Sequence, residues 1–416
     1  MLVKLDVKKD ILQDKVENFL FCVIMLRGMG APGTFAGVLS AGAASAWNAL
    51  NTAAFLVLTI LIAFKTKLKI KKVYGPIVLF GLYVFITGLM VSDFSYTVYD
   101  SAYRLILSMI CAVYIGSTRD KNQTVKLLAY SQIAASLMVF FMIVTGYSGV
   151  AVADGYYKFN LIGLYTTKNS CGYELVFGML VFYYCFRTEK NFCFKIFWLM
   201  ATCGQFAMAI LARTVGALAT GLFVILLYEF LIRKRKTINL SYYYLGINGG
   251  FWIFVGLVLP ATASILQRFG KSVTLTGRTD IWKSIVTFVG GIHQLFGYGY
   301  GGFWNNETYT GPLYALYRQA GMRAGLVGGH NLFMELYINV GIIGIILFIY
   351  MVHSIMKKSS KCSILQLGFE IIIVSFLAIR GLVERTLNPA TYDMMALFLV
   401  FGTIIYTAKT DRDVDQ

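Results

Sequence analysis

Charged residues are scarce in this sequence. Asp, Glu, Lys and Arg make up only 14% of its 416 residues, whereas 58% are hydrophobic and the mean hydropathy is +0.68. A soluble chain of this length needs far more polar surface than these residues can provide. The composition therefore excludes a soluble protein and indicates a protein that crosses a membrane many times.

The cysteines lack any pairing pattern. There are seven, an odd number, most of them lie inside apolar runs, and they lack the paired spacing of metal ligands. This excludes a disulfide framework and a zinc site. The first apolar stretch follows several lysines but lacks a small-residue cleavage site, so we expect a retained first span and not a signal peptide.

Long apolar segments are the most prominent feature of the sequence. A helix needs about 20 apolar residues to cross the hydrocarbon core, and about 12 segments meet or approach this length. They lie at about 17–38, 43–64, 74–92, 99–116, 126–145, 171–186, 194–211, 215–232, 242–259, 332–355, 363–381 and 393–408. We predict an all-α polytopic membrane protein with a single integral membrane domain over 1–416.

Basic residues outnumber acidic ones, 37 to 20. Short cytoplasmic loops collect Lys and Arg, and most basic residues fall on one side if the N-terminus is cytoplasmic. That side holds the N-terminal lysines, the Lys65–Lys72 cluster, and the basic residues within 119–126, 187–195, 233–236, 357–361 and 409–412. We therefore expect both termini in the cytoplasm, and the net charge of +17 requires no nucleic-acid partner.

The basic residues that do not fall on the cytoplasmic side are mostly arginines. The orientation of the chain in the membrane does not explain this preference, because membrane insertion does not require Arg over Lys. A guanidinium binds phosphate oxygens through two parallel hydrogen bonds and stays charged at low dielectric. These residues favour an outward-facing phosphate site; alternatively, some of the arginines pair with Asp93, Asp100, Glu384 or Asp393. They are Arg27, Arg104, Lys158, Lys168, Arg213, Arg268, Lys271, Arg278, Lys283, Arg318, Arg323, Arg380 and Arg385.

One long loop is predicted on the outer face, over 260–330. Its segment 280–296 has apolar residues near helical spacing, which favours an amphipathic helix on the bilayer surface. The glycine-rich segment Gly297–Phe303 follows, but no strand precedes it, so a dinucleotide-binding loop is rejected. Its aromatic rings could stack on sugars, and a simple flexible loop is the alternative.

His330, one of three histidines, lies where this loop ends and an apolar helix begins. The partial positive charge of a helix N-terminus favours the neutral imidazole, which can act as a general base. The alternative is that Asn331 caps the helix and His330 is an interfacial polar residue.

Three motifs in this order carry a family resemblance. They are Gly277-Arg-Thr-Asp-Ile-Trp282, then Phe296-Gly-Tyr-Gly-Tyr-Gly-Gly-Phe303, then His330-Asn-Leu332 with Gly341 and Gly344 in the following helix. Upstream, Gly163-Leu-Tyr-Thr-Thr-Lys-Asn169 and Ala212-Arg-Thr-Val-Gly-Ala217 match more weakly, and the second lacks the family's serine. Together, over about 165–350, they resemble the shared C-terminal domain of the O-antigen ligase and Wzy polysaccharide polymerase family.

The resemblance implies a glycosyltransferase of the C-type fold in the bacterial cytoplasmic membrane, acting at its outer face on oligosaccharides linked to undecaprenyl diphosphate. It implies His330 as the base, with Arg278 and Arg213 holding the diphosphate. Arg380 and Arg385 would assist them, and Lys168 and Asn169 would orient the substrate. Asn331 and Trp282 are further candidate binding residues. We expect no metal and no cofactor. Expected partners are the lipid-linked glycan, membrane lipids, and a flippase and a chain-length regulator of the same pathway.

Two reactions fit this resemblance. A polymerase joins lipid-linked repeat units of capsular polysaccharide, exopolysaccharide or O-antigen, and a ligase transfers the finished chain to a lipid or protein. We favour the polymerase. A flippase or other transporter is less favoured, because transporters tend to show duplicated halves and midplane charges, whereas this chain has its unusual charge at one face.

Overall fold

In the computed structural model, the described residues are 2–91, 96–146, 151–152, 160–165, 167–234, 237–258, 261, 277–304, 306–321, 328–386 and 391–414. Asp93, Lys158, Arg268, Lys271 and Arg323 lie outside them, and so does the side chain of Asp100. Much of the predicted loop 260–330 also lies outside the described residues.

Helices form nearly all of the described structure. They are α1 (Leu2–Gly28), α2 (Ala31–Leu39), α3 (Ala41–Thr66), α4 (Gly75–Val91), α5 (Tyr96–Thr118), α6 (Lys121–Val144), α7 (Lys168–Thr188), α8 (Phe192–Leu211), α9 (Val215–Lys234), α10 (Leu240–Ile253), α11 (Arg278–Phe288), α12 (His293–Phe296), α13 (Glu307–Gln319), α14 (Leu332–Met356), α15 (Gly368–Val383) and α16 (Tyr392–Val414). A π-helical turn, Phe254–Val258, extends α10, and two-residue strands β1 (Ala151–Val152) and β2 (Asn160–Leu161) pair antiparallel.

Polar residues cap the helices where the apolar segments are interrupted. Ser40, Asp120, Thr167 and Asn239 each accept a hydrogen bond from a backbone N–H in the first turn of the helix that follows. Each side chain satisfies a donor that would otherwise have no partner within the helix. Local sequence therefore sets these boundaries, before any packing is considered.

Each of the predicted apolar segments contains a helix, but eight helices in the described chain are long and apolar enough to cross a membrane. The pair α1 and α2, bent by 79°, gives up to nine. The protein is thus an all-α polytopic membrane protein, and the prediction of about 12 spans is not confirmed. The helices that fall short are α7, α10 and α15; α10 and α15 have only 14 and 16 residues.

Two of these helices, α7 and α15, lie in the middle of the bundle. Nearly all residues from Cys171 to Cys185 and from Gly368 to Ala378 are buried. A helix surrounded by other helices can carry ionisable groups, because neighbouring side chains and not lipid contact them. This explains how Glu174, Glu370 and Arg380 occur in helices at the centre of a membrane protein.

The segment 280–296 does not form one continuous helix. It forms α11 and α12, separated at Val289, whose backbone is extended, and Gly291, whose φ is +60°. The apolar face of α11 packs on the protein itself, in a second hydrophobic core. This core contains Ile281, Trp282, Ile285, Val289, Tyr298, Phe303, Leu313, Tyr317 and Ile338.

Helix α14 is broken at Gly341, where φ is +66° and ψ is −170°. A Cβ at this position would lie 2.3 Å from the carbonyl carbon and oxygen of Leu295, so the end of α12 contacts the break directly. Tyr298 N–H donates to the carbonyl of Ile338 (2.8 Å), and the Tyr83 hydroxyl donates to the carbonyl of Val340 (2.9 Å). The break thus fixes the loop that follows α12 against the membrane helices.

Candidate active site

Three of the predicted site residues meet at one carboxylate, which the sequence analysis named only as a possible ion-pair partner of an arginine. Glu384 follows the last residue of α15, and its side chain is 13% exposed. Its Oε1 accepts hydrogen bonds from Arg278 Nη2 (3.2 Å) and Asn169 Nδ2 (3.1 Å), and its Oε2 lies 3.4 Å from His330 Nδ1. The structure therefore brings together residues from α7, α11 and the start of α14.

Glu384 orients the imidazole of His330. A carboxylate can only accept, so this contact requires a proton on Nδ1 and, in the neutral ring, leaves Nε2 as the basic nitrogen. Burial acts to raise the pKa of Glu384, but the hydrogen bond and charge of His330, with the charges of Arg278 and Arg380, hold this pKa below its ordinary value of 4.5. The carboxylate is therefore ionised at neutral pH.

The backbone before His330 is held on both sides. Gly329 N–H donates to Glu335 Oε1 (2.5 Å), and the carbonyl of Gly329 accepts from Trp282 Nε1 (2.8 Å). His330 itself has a φ of +45°, a left-handed conformation that costs a non-glycine residue of the order of 1–2 kcal/mol. Such strain persists where surrounding contacts overdetermine it, and it is often found at functional sites.

Asn331 caps α14, as the alternative interpretation of this segment expected. Its Oδ1 accepts from the backbone N–H of Phe333 (2.8 Å) and Met334 (3.2 Å), and its Nδ2 donates to the carbonyl of Leu382 (3.0 Å). The residue is fully buried. It therefore joins the start of α14 to the end of α15, and so joins His330 to Glu384.

The guanidinium of Arg278 has N–H groups in addition to the one that donates to Glu384. It is the first residue of α11 and its side chain is 24% exposed. Its Nε is buried and has no hydrogen-bond partner among the described residues. A buried donor without a partner is costly, and the exposed part of the same side chain is accessible to a ligand. A guanidinium with a free edge beside a histidine can bind a phosphate oxygen.

Arg380 is engaged elsewhere. It lies one turn before Glu384 on α15, is buried, and contacts the carboxylate of Asp393 and the hydroxyl of Tyr392. Its guanidinium carbon is also 5.1 Å from the ring centroid of Tyr173. The alternative interpretation, that some arginines pair with acids, thus describes Arg380 with Asp393 and also Arg278 with Glu384. A diphosphate role for Arg380 is a prediction that the structure does not test.

Three other predicted cations, Lys168, Arg213 and Arg385, lie near residues of the Glu384 cluster. Lys168 is the first residue of α7 and precedes Asn169; its carbonyl accepts from the hydroxyl of Thr214 (3.0 Å). This contact places Arg213, which is exposed and left-handed (φ +52°), next to the start of α7. Arg385 lies beside the His330 loop, since a Cβ on Gly328 would be 3.1 Å from its Cδ.

Trp282 and three aromatic residues of the glycine-rich segment were predicted to contact substrate, but their rings are buried in the protein. Trp282 is 4% exposed and its indole N–H is used by Gly329, so it supports the His330 loop from behind. Tyr298, Tyr300 and Phe303 of the glycine-rich segment are also buried and so do not present exposed rings. Tyr298 and Phe303 belong to the second core and Tyr300 to the main core, so these rings do not form an exposed stacking surface.

Sequence reasoning missed Glu335 and Trp304. Glu335 is buried in the first turn of α14, where its Oε1 holds Gly329 and its Oε2 accepts from Trp304 Nε1 (2.9 Å). The only signal was an acid at the start of an apolar helix, which ordinarily indicates a favourable interaction with the helix dipole. No group of three His, Cys, Asp or Glu side chains in the described part of the chain could hold a metal ion.

The fold and this cluster define a class: a polytopic helical membrane protein with a carboxylate-oriented histidine beside a partly free guanidinium. A scan of protein-family models finds no match. The chain is similar to a protein named "Exopolysaccharide production protein ExoQ" of Rhizobium meliloti (strain 1021), with 25% identity over 248 residues. The match covers 58% of this chain and 54% of that protein, so the chain spans about half the length of this curated relative.

Proposed function

We propose that this protein is a membrane glycosyltransferase that polymerises exopolysaccharide or capsule repeat units. It would transfer a glycan from undecaprenyl diphosphate to a hydroxyl of another lipid-linked repeat unit. The observation that carries the proposal is that His330 and Arg278 share the carboxylate of Glu384. A base and a phosphate-binding group thereby lie side by side. The similarity to an exopolysaccharide production protein supports the pathway.

The chemistry follows from the positions of these groups. The acceptor hydroxyl donates its proton to His330 Nε2 while its oxygen attacks the anomeric carbon of the donor sugar. The bond from that carbon to the diphosphate oxygen breaks, and the diphosphate leaves with the electron pair. Glu384 stabilises the imidazolium that forms, as the aspartate does in a Ser-His-Asp triad. General base catalysis of this kind contributes roughly 100- to 10,000-fold.

The leaving diphosphate needs positive charge at the same end of the bundle. Arg278 supplies it directly, through the N–H groups of its partly exposed side chain that Glu384 does not use. Arg385 lies next to Gly328, two residues before His330. Arg213 and Lys168 lie near the start of α7, which also carries Asn169. In this proposal they bind the donor diphosphate from the side opposite the acceptor.

The direction of the helices supports an outward-facing site. Helices α7 and α14 begin at the Glu384 cluster and α15 ends there. The other ends of these helices carry Arg187, the basic segment 357–361, and Glu370, which pairs with Lys121 at 2.9 Å. Basic residues collect on the cytoplasmic side, so the cluster would lie on the outer side. A flippase would deliver the lipid-linked substrate there, and a chain-length regulator would control the product.

The test uses the purified protein in lipid nanodiscs. Given only lipid-diphosphate repeat units from the source strain, a polymerase produces a ladder of chain lengths. A single product that requires a second acceptor would instead indicate a ligase. No glycosyl transfer with either acceptor would contradict the proposal. In that case, movement of intact lipid-linked glycan between the leaflets of sealed liposomes that contain the protein would indicate a transporter.

A further inference from the structure

Glu335 joins two parts of the chain that meet at the site. One carboxylate oxygen accepts from the backbone N–H of Gly329, directly before His330, at 2.5 Å. The other accepts from the indole N–H of Trp304 at 2.9 Å. The carboxylate is buried, so both hydrogen bonds are shielded from water. The position of Trp304 is therefore tied to the position of the His330 backbone through a single side chain.

Trp304 differs from the other aromatic residues of its segment. Tyr298, Tyr300 and Phe303 are buried, whereas Trp304 is half-buried and leaves part of its ring accessible. Its ring is held edge-on against Phe303, with centroids 5.0 Å apart and an interplanar angle of 88°. With the indole N–H also fixed by Glu335, the ring is ordered before any ligand arrives, which lowers the entropic cost of binding.

Aromatic rings of the second core pack against the segment that carries Trp304. Phe303 packs against Phe288 and Tyr298, and Tyr298 stacks on His293 with ring centroids 3.9 Å apart. These contacts leave little freedom for the segment that carries Trp304. Among the partly buried residues on this core, Trp304 is the one whose indole N–H donates to Glu335, the carboxylate that also accepts from the backbone N–H before His330.

We propose that Trp304 is a binding subsite for the acceptor sugar and that Glu335 is the positioning residue that holds this subsite in register with His330. This inference rests on the proposed function. A pyranose ring has a face of C–H groups with small positive charge, which packs on the negative face of an indole. Since the base removes the acceptor's proton, a subsite tied to His330 serves the acceptor, whereas Arg278 serves the donor.

A binding experiment tests Trp304 without requiring turnover. The probe is a set of oligosaccharides from partial hydrolysis of the source strain's own extracellular polysaccharide. Saturation-transfer NMR with the protein in nanodiscs reports which oligosaccharides bind. Trp304→Ala should weaken binding by roughly 2- to 10-fold, the range for one aromatic contact, and Trp304→Phe should weaken it less. Tyr130→Ala, at a 54% exposed aromatic residue on α6, is the control and should have no effect.

Kinetics with the full-length protein separate Trp304 from Glu335. Trp304→Phe keeps an aromatic ring but loses the N–H; it should raise KM for an acceptor-only alkyl glycoside and leave donor KM unchanged. Glu335→Gln cannot accept from both N–H groups, so it should raise the same KM and also lower kcat, because the His330 backbone is released. Thermal unfolding of each variant shows whether it is folded.

The outcomes distinguish this inference from the proposed function. If wild-type protein transfers no glycan but binds the oligosaccharides, and Trp304→Ala weakens this binding while Tyr130→Ala does not, the proposed function fails and Trp304 stands as a sugar-binding residue. If glycan transfer proceeds and folded Trp304→Ala has wild-type acceptor KM and wild-type oligosaccharide binding, the subsite inference is wrong. Failure of the wild-type protein to bind any of the oligosaccharides would also overturn it.

Discussion

His330 Nδ1 lies 3.4 Å from Oε2 of Glu384, although the two residues are 54 positions apart and belong to different helical segments. Asn331 maintains this relationship, because it caps α14 and also donates to the carbonyl of Leu382 near the end of α15. The geometry gives His330 a defined basic nitrogen, and the predictions about catalysis follow from that assignment.

Replacing the imidazole should abolish the base without removing the donor site. We expect His330→Gln to lower turnover by roughly 100-fold or more, the usual range for a general base. Donor binding should persist, because Arg278 is unchanged. His353→Gln, at the opposite end of α14, is the matched control and should retain wild-type turnover. The measurement is single-turnover rate beside donor affinity; near-normal turnover of folded His330→Gln would make His330 an interfacial polar residue.

Arg278 should affect donor affinity and rate together. Arg278→Ala removes the guanidinium whose Nε is buried without a partner among the described residues. Arg278→Lys should recover only part of the loss, because an ammonium keeps the charge but cannot form two parallel hydrogen bonds. Lys283→Ala removes an exposed cation from the same helix and is the control. Equal donor affinity in Arg278→Ala and Lys283→Ala would contradict the assignment.

The side of the membrane on which the site lies can be tested by cysteine labelling. Thr308, on α13, and Ser360, beyond the end of α14, are both exposed. Introduced cysteines should react with an impermeant reagent from outside at position 308 and only from inside at position 360. Cys193 and Cys203 are exposed and should first be replaced by serine. Labelling of both positions from the same side would show that the orientation inferred from charge is wrong.

The sequence predicted those features of the structure that depend on residues close to one another in the chain. Apolar segments contain the helices, because hydrophobicity is a property of each segment by itself. The capping role of Asn331 was also visible, since Asn before an apolar helix is a strong signal. The motifs led to His330, Arg278 and Asn169, and the structure brings all three to Glu384.

Features that depend on packing between distant segments could not be predicted. Pairing of arginines with acids was an open alternative, but the sequence could not assign Arg380 to Asp393, nor show that Glu335 contacts Trp304 of a different segment. The prediction of about 12 spans is not confirmed, because α7 and α15, which carry the buried Glu174 and Arg380, are not among the eight helices found long and apolar enough to cross a membrane. The amphipathic pattern of 280–296 predicted helix, but it could not show that Ile281, Trp282 and Ile285 pack in a second protein core.

The break in α14 should be intolerant of any side chain. Gly341→Ala would place a Cβ 2.3 Å from the Leu295 backbone at a φ of +66°, so we expect a loss of about 2 kcal/mol or more of stability. Gly246→Ala, in α10, is the control: nothing lies within 4 Å of its Cβ, and alanine is the better helix former. Thermal unfolding in detergent should show a lower midpoint for Gly341→Ala alone. Equal midpoints would show that α12 does not contact the break.

Glu384 should contribute stability that depends on pH in a defined direction. His330, Arg278 and Arg380 hold its folded-state pKa below the ordinary value of 4.5. A depressed carboxyl pKa adds stability that is fully present above the unfolded value and is lost as pH falls through the folded value. The unfolding midpoint of the wild-type protein should therefore exceed that of Glu384→Gln at pH 7, and the difference should shrink below about pH 4.5.

In the transfer assay at pH 7, Glu384→Gln should also lose turnover, by roughly 100-fold, because the amide can present a donor to Nδ1 and so favour the wrong tautomer of His330. A midpoint difference that stays constant from pH 7 to pH 3.5 would show that the carboxylate is not ion-paired, and wild-type turnover of Glu384→Gln would show that His330 does not need it.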